Sequence, residues 1–382
     1  MKIAFLTQQY PHPKTGGSGG IGTAIKNLAQ GLISQNHNPI VLIYEQQEDA
    51  VFEDNGVVFY QIKNVKTKFL AGYFTRKKIE RLINKLYSEK KIDIVESPDW
   101  TGISSFIKPQ CPLIIRQNGS DAYFCYLDGR PAKIKNLFHE KRALRKADGI
   151  ISVSQFTGDL TNTILNLSKP FSVIPNSIDI NDFKFNNDSQ HFKVDKFEIL
   201  YFGNIIRKKG ALELPFIFNK VIEKFPDVQL SLVGKDVVDI QTGNSTWQMM
   251  QELFSKQAIS NVKYHGTVDY NAIQSVITQS TLCVFPSFAE ALPVSWLEAM
   301  AMQKAIVASN IGWANEMIED GKSGFLVDPK NHDLFALRII ELLENPNLIT
   351  NFGEMARKKI ESDFSNEVIS NKNIQFYSQF IK

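Results

Sequence analysis

Short apolar runs alternate with amphipathic helical stretches along this chain, and the alternation happens twice. KIAFLT (2–7) is too short for a buried helix and is the type of run that forms a fully covered parallel strand. A loop rich in Pro and Gly leads from it into IGTAIKNLAQGLISQ, where Ile21, Ala24, Ile25, Leu28 and Leu32 recur at helical spacing. The rhythm continues through PIVLIY (39–44), VVFYQI (57–62), a helix from Arg76 to Lys90, DIVES (93–97), PLIIRQ (112–117), a helix over 133–147 and GIISVS (149–154). Parallel strands need a crossover connection, so this alternation predicts a doubly wound α/β domain. It dissolves at 175–196 into PNSIDINDFKFNNDSQHFKVDK, which reads as a linker. It restarts with FEILYFG (197–203), a helix over 211–224, VQLSLVG (228–234), NVKYHG (261–266), TLCVFPS (281–287), KAIVAS (304–309) and GFLV (324–327). The expectation is two Rossmann-like α/β domains, 1–187 and 188–364, facing each other across a cleft. The last helical stretch, 365–382, crosses back onto the first domain. In such an enzyme the ligand belongs in the cleft between the carboxyl ends of the two sheets.

Composition narrows the class further. With 382 residues, 43% hydrophobic and 22% charged, the chain can fill two cores and is neither disordered, collagenous nor coiled coil. No apolar stretch approaches the roughly 18 residues that span a bilayer, and the run before Gln8 and Gln9 is too short for a signal peptide. Cys111, Cys125 and Cys283 are widely spaced, which supports neither a disulfide framework nor a zinc site and suits a reducing cytoplasm. The net charge of +3 hides an asymmetry: residues 1–185 carry 24 basic against 17 acidic side chains, the remainder 19 against 23. Residues 63–91 alone hold ten basic residues against Glu80 and Glu89, with Phe69, Tyr73 and Phe74 among them. One reading is an ordinary surface helix with Ile79, Leu82, Ile83 and Leu86 packed on the sheet. The other is docking to an anionic membrane surface, on the inner face of the membrane, by Lys77, Lys78, Arg81 and Lys85. Nucleic acid is the weakest partner, since no recognised binding motif accompanies the charge.

Three segments could carry chemistry. Gly16-Gly17-Ser18-Gly19-Gly20-Ile21-Gly22 opens a helix, where glycine permits close approach and the free N–H groups suit an anion. Residues 17–22 also satisfy G-x-G-x-x-G, but the dinucleotide fingerprint follows its strand directly, and here a long loop intervenes. A merely structural turn is the third reading. Gly203-Asn204-Ile205-Ile206-Arg207-Lys208-Lys209-Gly210 follows a strand directly, and its three cations suit a diphosphate, or else form a solvated basic loop. Finally, Glu290 and Glu298 flank a helix start that carries almost no other charge. A carboxylate on so apolar a helix is costly unless satisfied, either by the hydroxyls of a sugar or ribose or by capping and a structural ion pair.

These segments, in this order, resemble a family 4 retaining glycosyltransferase of the GT-B fold along nearly the whole chain. Glu290 to Glu298 is similar to the family's E-x7-E motif, GGIGTAIKNLAQGL to its Gly-Gly loop and first helix, and FGNIIRKKG to its "GR…KG" loop. HEKRALRKADGIISVS, VIPNSID and SNIGWANEMIEDGKSGFLVDP resemble further family segments. The resemblance implies that Gly19 and Gly20 present backbone N–H groups to the donor diphosphate or the reacting sugar, and that Lys209 binds the diphosphate. It gives Glu290 the hydroxyls of the transferred sugar and Glu298 those of the ribose, with the amides of Leu292, Val294 and Ser295 facing the phosphates. Asn204 stands where the family usually has a diphosphate-binding Arg, a role Arg207 could take. Asn118 stands where many members have a His; it can donate a hydrogen bond but cannot act as acid or base.

The implied activity is sugar transfer, with retention, from a nucleotide-diphosphate donor (a UDP or GDP sugar) to a glycan or lipid-linked acceptor in surface polysaccharide or glycolipid synthesis. No D-x-D occurs, so no metal or other cofactor is expected. The alternatives are a GT-B-fold sugar-nucleotide epimerase, an NAD-dependent oxidoreductase and a non-catalytic sugar-nucleotide-binding protein.

Overall fold

The apolar runs fall into two sheets in the computed structural model, which describes residues 1–16, 19–183, 197–269 and 272–381. The chain divides into two Rossmann-like α/β units, Met1–Asp179 with Phe364–Lys382, and Ile180–Asp363. The boundary at 187/188 and the part of the expected 175–196 linker from 184 onward lie outside the described residues.

The first unit contains β1 (Lys2–Thr7), β2 (Asn38–Gln46), β3 (Ala50–Asp54), β4 (Val57–Lys63), β5 (Ile94–Pro98), β6 (Leu113–Gln117), β7 (Gly149–Ser152) and β8 (Ser172–Val173). Their order is β3-β4-β2-β1-β5-β6-β7-β8. Only the β3–β4 pair is antiparallel. This hairpin was not expected from the periodicity, yet it has a local signal: Asn55 and Gly56 both adopt positive φ, 47° and 77°, as a tight Asn-Gly turn requires. The second unit contains β9 (Glu198–Phe202), β10 (Gln229–Val233), β11 (Val262–Tyr264), β12 (Leu282–Phe285), β13 (Ala305–Ser309) and β14 (Phe325–Val327). All are parallel, in the order β11-β10-β9-β12-β13-β14. In both sheets the winding direction reverses beside the first strand, at β1/β5 and at β9/β12. There the helices leave opposite faces, and such a switch point is where ligands bind in open α/β sheets.

The helix expected from Arg76 starts earlier, at Ala71, and runs to Ser88. Ile79, Ile83 and Leu86 are buried against β2, β4 and β5, and Leu82 is half-buried beside them. The C-terminal helix Asn366–Ser378 belongs to the first unit, where Ile369, Phe376 and Tyr377 join the core around β1, β6 and β7.

A buried ion pair fastens that helix. Arg116 on β6 donates from Nε and Nη2 to the two oxygens of Glu96 on β5, at 2.7 and 3.0 Å. Its Nη1 bonds the Ile174 carbonyl at 3.1 Å, and Nη2 also reaches Oδ1 of Asn373. Tyr377 donates its hydroxyl to Glu96 at 2.6 Å. Because Glu96 and Arg116 are 4% and 5% exposed, water cannot replace a missing partner. Tyr377→Phe is therefore expected to lower unfolding stability by about 1–3 kcal/mol, the cost of one unmet buried hydrogen bond. Arg116→Met, which strands a buried carboxylate, should cost roughly 3–5 kcal/mol. Urea unfolding of the two variants measures both; equal, sub-kcal effects would show that the network does not hold the helix.

Candidate active site

At the β9/β12 switch point of the second unit, two loops far apart in sequence are tied together by their backbones. Phe288 and Ala289 donate their N–H groups to the Lys208 carbonyl at 2.8 and 3.1 Å. Gly210, at φ 69°, lies so close to Pro286 that a Cβ would sit 1.8 Å from its carbonyl oxygen, so no other residue fits there. Tyr201 donates its hydroxyl to the carbonyl of Asn204 at 2.9 Å and steadies the first loop from beneath. These ties bring Lys209 and Glu290 together: Nζ lies 2.6 Å from Oε1. The two side chains are 22% and 12% exposed, so the pair is shielded yet reachable. Glu290's charge and burial together push the Tyr201 hydroxyl's pKa up, with burial the larger cause.

Directly after this loop the helix Val294–Ala301 begins at Pro293 with no side-chain cap. Leu292, Val294 and Ser295 thus lie at a helix N-terminus without a side-chain cap, whose amide dipoles favour an anion. Glu298 lies on the same helix, 5% exposed, beside buried Trp296, Leu297 and Ala299. Asn204 is exposed.

Arg207 turns elsewhere. Its Nε and Nη2 bind both oxygens of Asp239 at 2.8 and 2.9 Å. Asp239 is 2% exposed and also accepts from the N–H and hydroxyl of Thr242, at 3.1 and 2.9 Å. The Arg207 hydrogen bonds hold the Asp239 carboxyl below the usual range and raise the pKa of Arg207 in turn. The pair clamps the loop after β10 to the loop after β9, which already exchange Ile205 N–H to Lys235 O (2.9 Å) and Val237 N–H to Ile205 O (3.1 Å). Asp239 was not singled out in the sequence; an acidic residue following a strand end, opposite a basic loop, was its only signal.

In the first unit, Gly19 precedes the helix Gly20–Ser34, which also lacks a side-chain cap, and its N–H bonds Oε1 of Gln9 at 2.8 Å. Gly20 is exposed, and a Cβ on it would meet nothing; Gly17 and Ser18 lie outside the described residues. Asn118 follows β6 and shares a cavity with Ile21, Arg116 and Ser177 that has room for about one water. Its N–H donates to Oδ1 of Asp99, a fully buried residue after β5, at 3.1 Å. Burial, reinforced by the charge of nearby Glu140, pushes the Asp99 carboxyl up to about 8. Burial also lifts Glu140 to about 7, against the hydrogen bonds it accepts from Ser120, Ala122 and Asp121. Asp99 and Glu140 form a buried acidic pair that periodicity could not reveal. Among the described residues, no group of three His, Cys, Asp or Glu side chains could hold a metal ion, and no helix is long and apolar enough to cross a membrane.

Two doubly wound α/β units, each with a switch point, are a ligand-binding architecture, and comparison with known proteins makes the class specific. The glycosyltransferase family 4 model matches residues 18–182 and the glycosyl transferases group 1 model matches 182–359. The chain belongs to this glycosyltransferase family. It is 27% identical over 256 residues to the capsular polysaccharide biosynthesis glycosyltransferase CapM of Staphylococcus aureus, a match spanning 64% of each chain. Among solved structures it is similar to sucrose-phosphate synthase of Thermosynechococcus elongatus, with TM-score 0.77, 18% identity and 99% of each chain covered. Anabaena HepE in complex with UDP and glucose gives TM-score 0.74 at 19% identity, covering 99% of this chain and 100% of that one.

The buried acids carry a pH signature. A carboxyl whose pKa is raised in the folded state holds a proton there that the unfolded chain releases, so it costs stability as pH rises from the ordinary value near 4 to the raised one. Asp99→Asn keeps the oxygen that accepts from Asn118 and removes this cost. Its stability relative to wild type should therefore grow between about pH 4 and about 8. Urea midpoints across that range test the expectation, and a constant difference would refute it.

Proposed function

We propose that this glycosyltransferase moves a sugar from a nucleotide-diphosphate donor, with retention and without a metal, to a glycan or lipid-linked acceptor of surface polysaccharide or glycolipid synthesis. The observation that carries the reading is the Lys209–Glu290 pair beside the uncapped start of the helix Val294–Ala301, with Glu298 buried on that helix. A leaving diphosphate gains charge as the glycosidic bond to it breaks. Lys209 has three N–H donors; one serves Glu290 and the others can meet phosphate oxygens. The helix N-terminus adds N–H groups fixed before the reaction begins, so little reorganisation is needed. Glu290, acceptor-only when ionised, suits the hydroxyls of the transferred sugar, and Glu298 those of the ribose. With the negative charge met in this way, the acceptor hydroxyl attacks from the front face as the bond to the diphosphate breaks and passes its proton to the departing phosphate oxygen, with neither a covalent nucleophile nor a divalent ion. Anabaena HepE, of the same fold, was crystallised with UDP and glucose, which supports a UDP-sugar as the first donor to try. The polysaccharide role named for CapM supports the acceptor class.

A thermal-shift series with UDP, GDP, ADP and NAD tests the reading first: a nucleoside diphosphate should raise the melting temperature and NAD should not. Lys209→Ala is expected to lower kcat/KM by about a hundredfold or more, and Glu298→Ala to weaken donor affinity in calorimetry while the protein stays folded. Turnover should persist in EDTA, and the product should keep the donor's anomeric configuration by NMR. Loss of activity to chelator with rescue by Mg²⁺ would overturn the metal-free scheme. Arg207 offers a sharper question. If it acts through Asp239, Arg207→Ala and Asp239→Ala should reduce kcat/KM alike and the double change should add nothing. If Arg207 itself meets the diphosphate, its removal costs clearly more than that of Asp239.

A further inference from the structure

The basic segment 63–91 does not present the surface its sequence suggests. The apolar stripe of the helix Ala71–Ser88 is buried in its own unit, Lys77 pairs with Glu80 at 2.7 Å, and Lys78 pairs with Asp49 at 2.6 Å. A helix lying flat with its apolar face in a bilayer is therefore excluded, because that face is already covered. What stands free is the approach to the helix start. Phe69 and Leu70 are 74% and 69% exposed, and Tyr73 and Phe74 are also exposed. Leu70 is held there in the left-handed region, at φ 59°.

This apolar surface continues onto a second helix. Tyr73 contacts Phe74 at 5.7 Å and Phe106 at 5.9 Å between ring centroids, and Phe106 contacts Phe138 at 6.3 Å. Phe138 is exposed on the helix Ile134–Lys146, and Ile134, one turn earlier on the same face, is 85% exposed. Two helices thus share one ridge of exposed aromatic and aliphatic side chains. Around it lie cations: Lys66, Lys68 and Lys135 are exposed and have no ion pair among the described residues, and Arg142 sits 4.6 Å over the Phe106 ring. Burial pushes the pKa of His139 down to about 4, with help from the charges of Arg76, Lys135 and Arg142. The helix Ala71–Ser88 also starts without a side-chain cap, next to Lys66 and Lys68.

We propose that this ridge docks the first unit on an anionic phospholipid surface, with Phe69, Leu70, Phe74 and Phe138 entering the headgroup–acyl boundary and Lys66, Lys68 and Lys135 meeting lipid phosphates. Phe, Leu and Ile have no polar atom to offer a sugar hydroxyl, and the aliphatic members Leu70 and Ile134 have no ring face for a sugar to stack on, so hydrocarbon fits the whole ridge better than a glycan does. These lysines, none in an ion pair among the described residues and Lys68 lying 5.9 Å over the Phe69 ring, supply the complementary charge. The inference does not depend on how the donor site works.

Flotation of the full chain with phosphatidylcholine vesicles, with and without phosphatidylglycerol, tests it. Binding is expected only with phosphatidylglycerol, at low salt, and should fall steeply as salt is added. Each of Lys66→Gln, Lys68→Gln and Lys135→Gln should weaken it about fivefold. The triple change Phe69→Ser, Leu70→Ser and Phe74→Ser should weaken it at least tenfold, and Phe138→Ser, on the other helix, should weaken it too. Unchanged melting temperatures certify that the variants fold. Arg81→Gln with Lys85→Gln, further along the first helix, should have little effect. No binding to phosphatidylglycerol vesicles at low salt overturns the proposal. So does binding insensitive to the ridge substitutions, an equal loss in the Arg81/Lys85 variant, or binding of dextran sulfate without binding of vesicles, which would assign the surface to an anionic glycan instead.

Discussion

The buried contact between Glu96 and Arg116 is the constraint on which the first unit turns. Two opposite charges removed from water gain little over well-packed apolar side chains, but once buried they demand that every remaining hydrogen-bonding position be filled. Here the demand is met from three directions: neighbouring strands supply the pair itself, the Ile174 carbonyl takes one N–H, and Asn373 and Tyr377 come from the far end of the chain. Charge thus specifies which helix covers this face of the sheet, where hydrophobicity alone would accept many. Asn118 follows Arg116 by two residues, so the strand held by this pair also carries one of the proposed site residues.

The second unit solves a different problem, that of holding a cation and a carboxylate in contact beside a helix start while leaving both partly open to solvent. Backbone ties do this. The Lys208 carbonyl and the Gly210–Pro286 contact fix where the chain runs, so the side chains of Lys209 and Glu290 converge while remaining partly open to solvent. Arg207, two residues earlier, is spent on Asp239 and stiffens the same loop from its other end. Neighbouring cations in one short loop therefore have different tasks, set by the carboxylate each can reach.

How much of this was legible beforehand follows from the range of the forces involved. Strands buried on both faces announce themselves as apolar runs, and helices as a repeating stripe, so the two doubly wound sheets could be read directly. The β3–β4 hairpin escaped because β3 is mostly solvent-facing and has no apolar run; only the Asn55-Gly56 turn betrays it. In the site, family resemblance pointed to Lys209 and Glu290, but their meeting depends on loops some eighty residues apart. Asp239 and the Asp99–Glu140 pair carry no pattern in the sequence, since burial of a carboxylate is a property of the finished fold. The basic helix was legible as charge and periodicity, while the decisive fact, that its apolar stripe is occupied and its aromatic approach is not, required the packing.

The backbone at Ile178 has a consequence for how this protein comes into being. Ile178 donates to the carbonyl of Phe364 and accepts from the amide of Asn366, both at 3.0 Å, so the strand leaving the first unit and the strand returning to it run side by side. Topologically, the second unit is an insertion between two adjacent points of the first. A ribosome therefore completes all of residues 180–363 before the helix that satisfies Glu96 and Arg116 is made. The unit that begins first must finish last, and until then its nascent sheet carries a buried-to-be charge pair whose partners do not yet exist. Non-local closure of this kind is slow, because a long loop must be ordered before any contact rewards it. Synthesis of Asn366–Ser378, rather than emergence of the N-terminal half, is the earliest point at which the first unit can complete its native core.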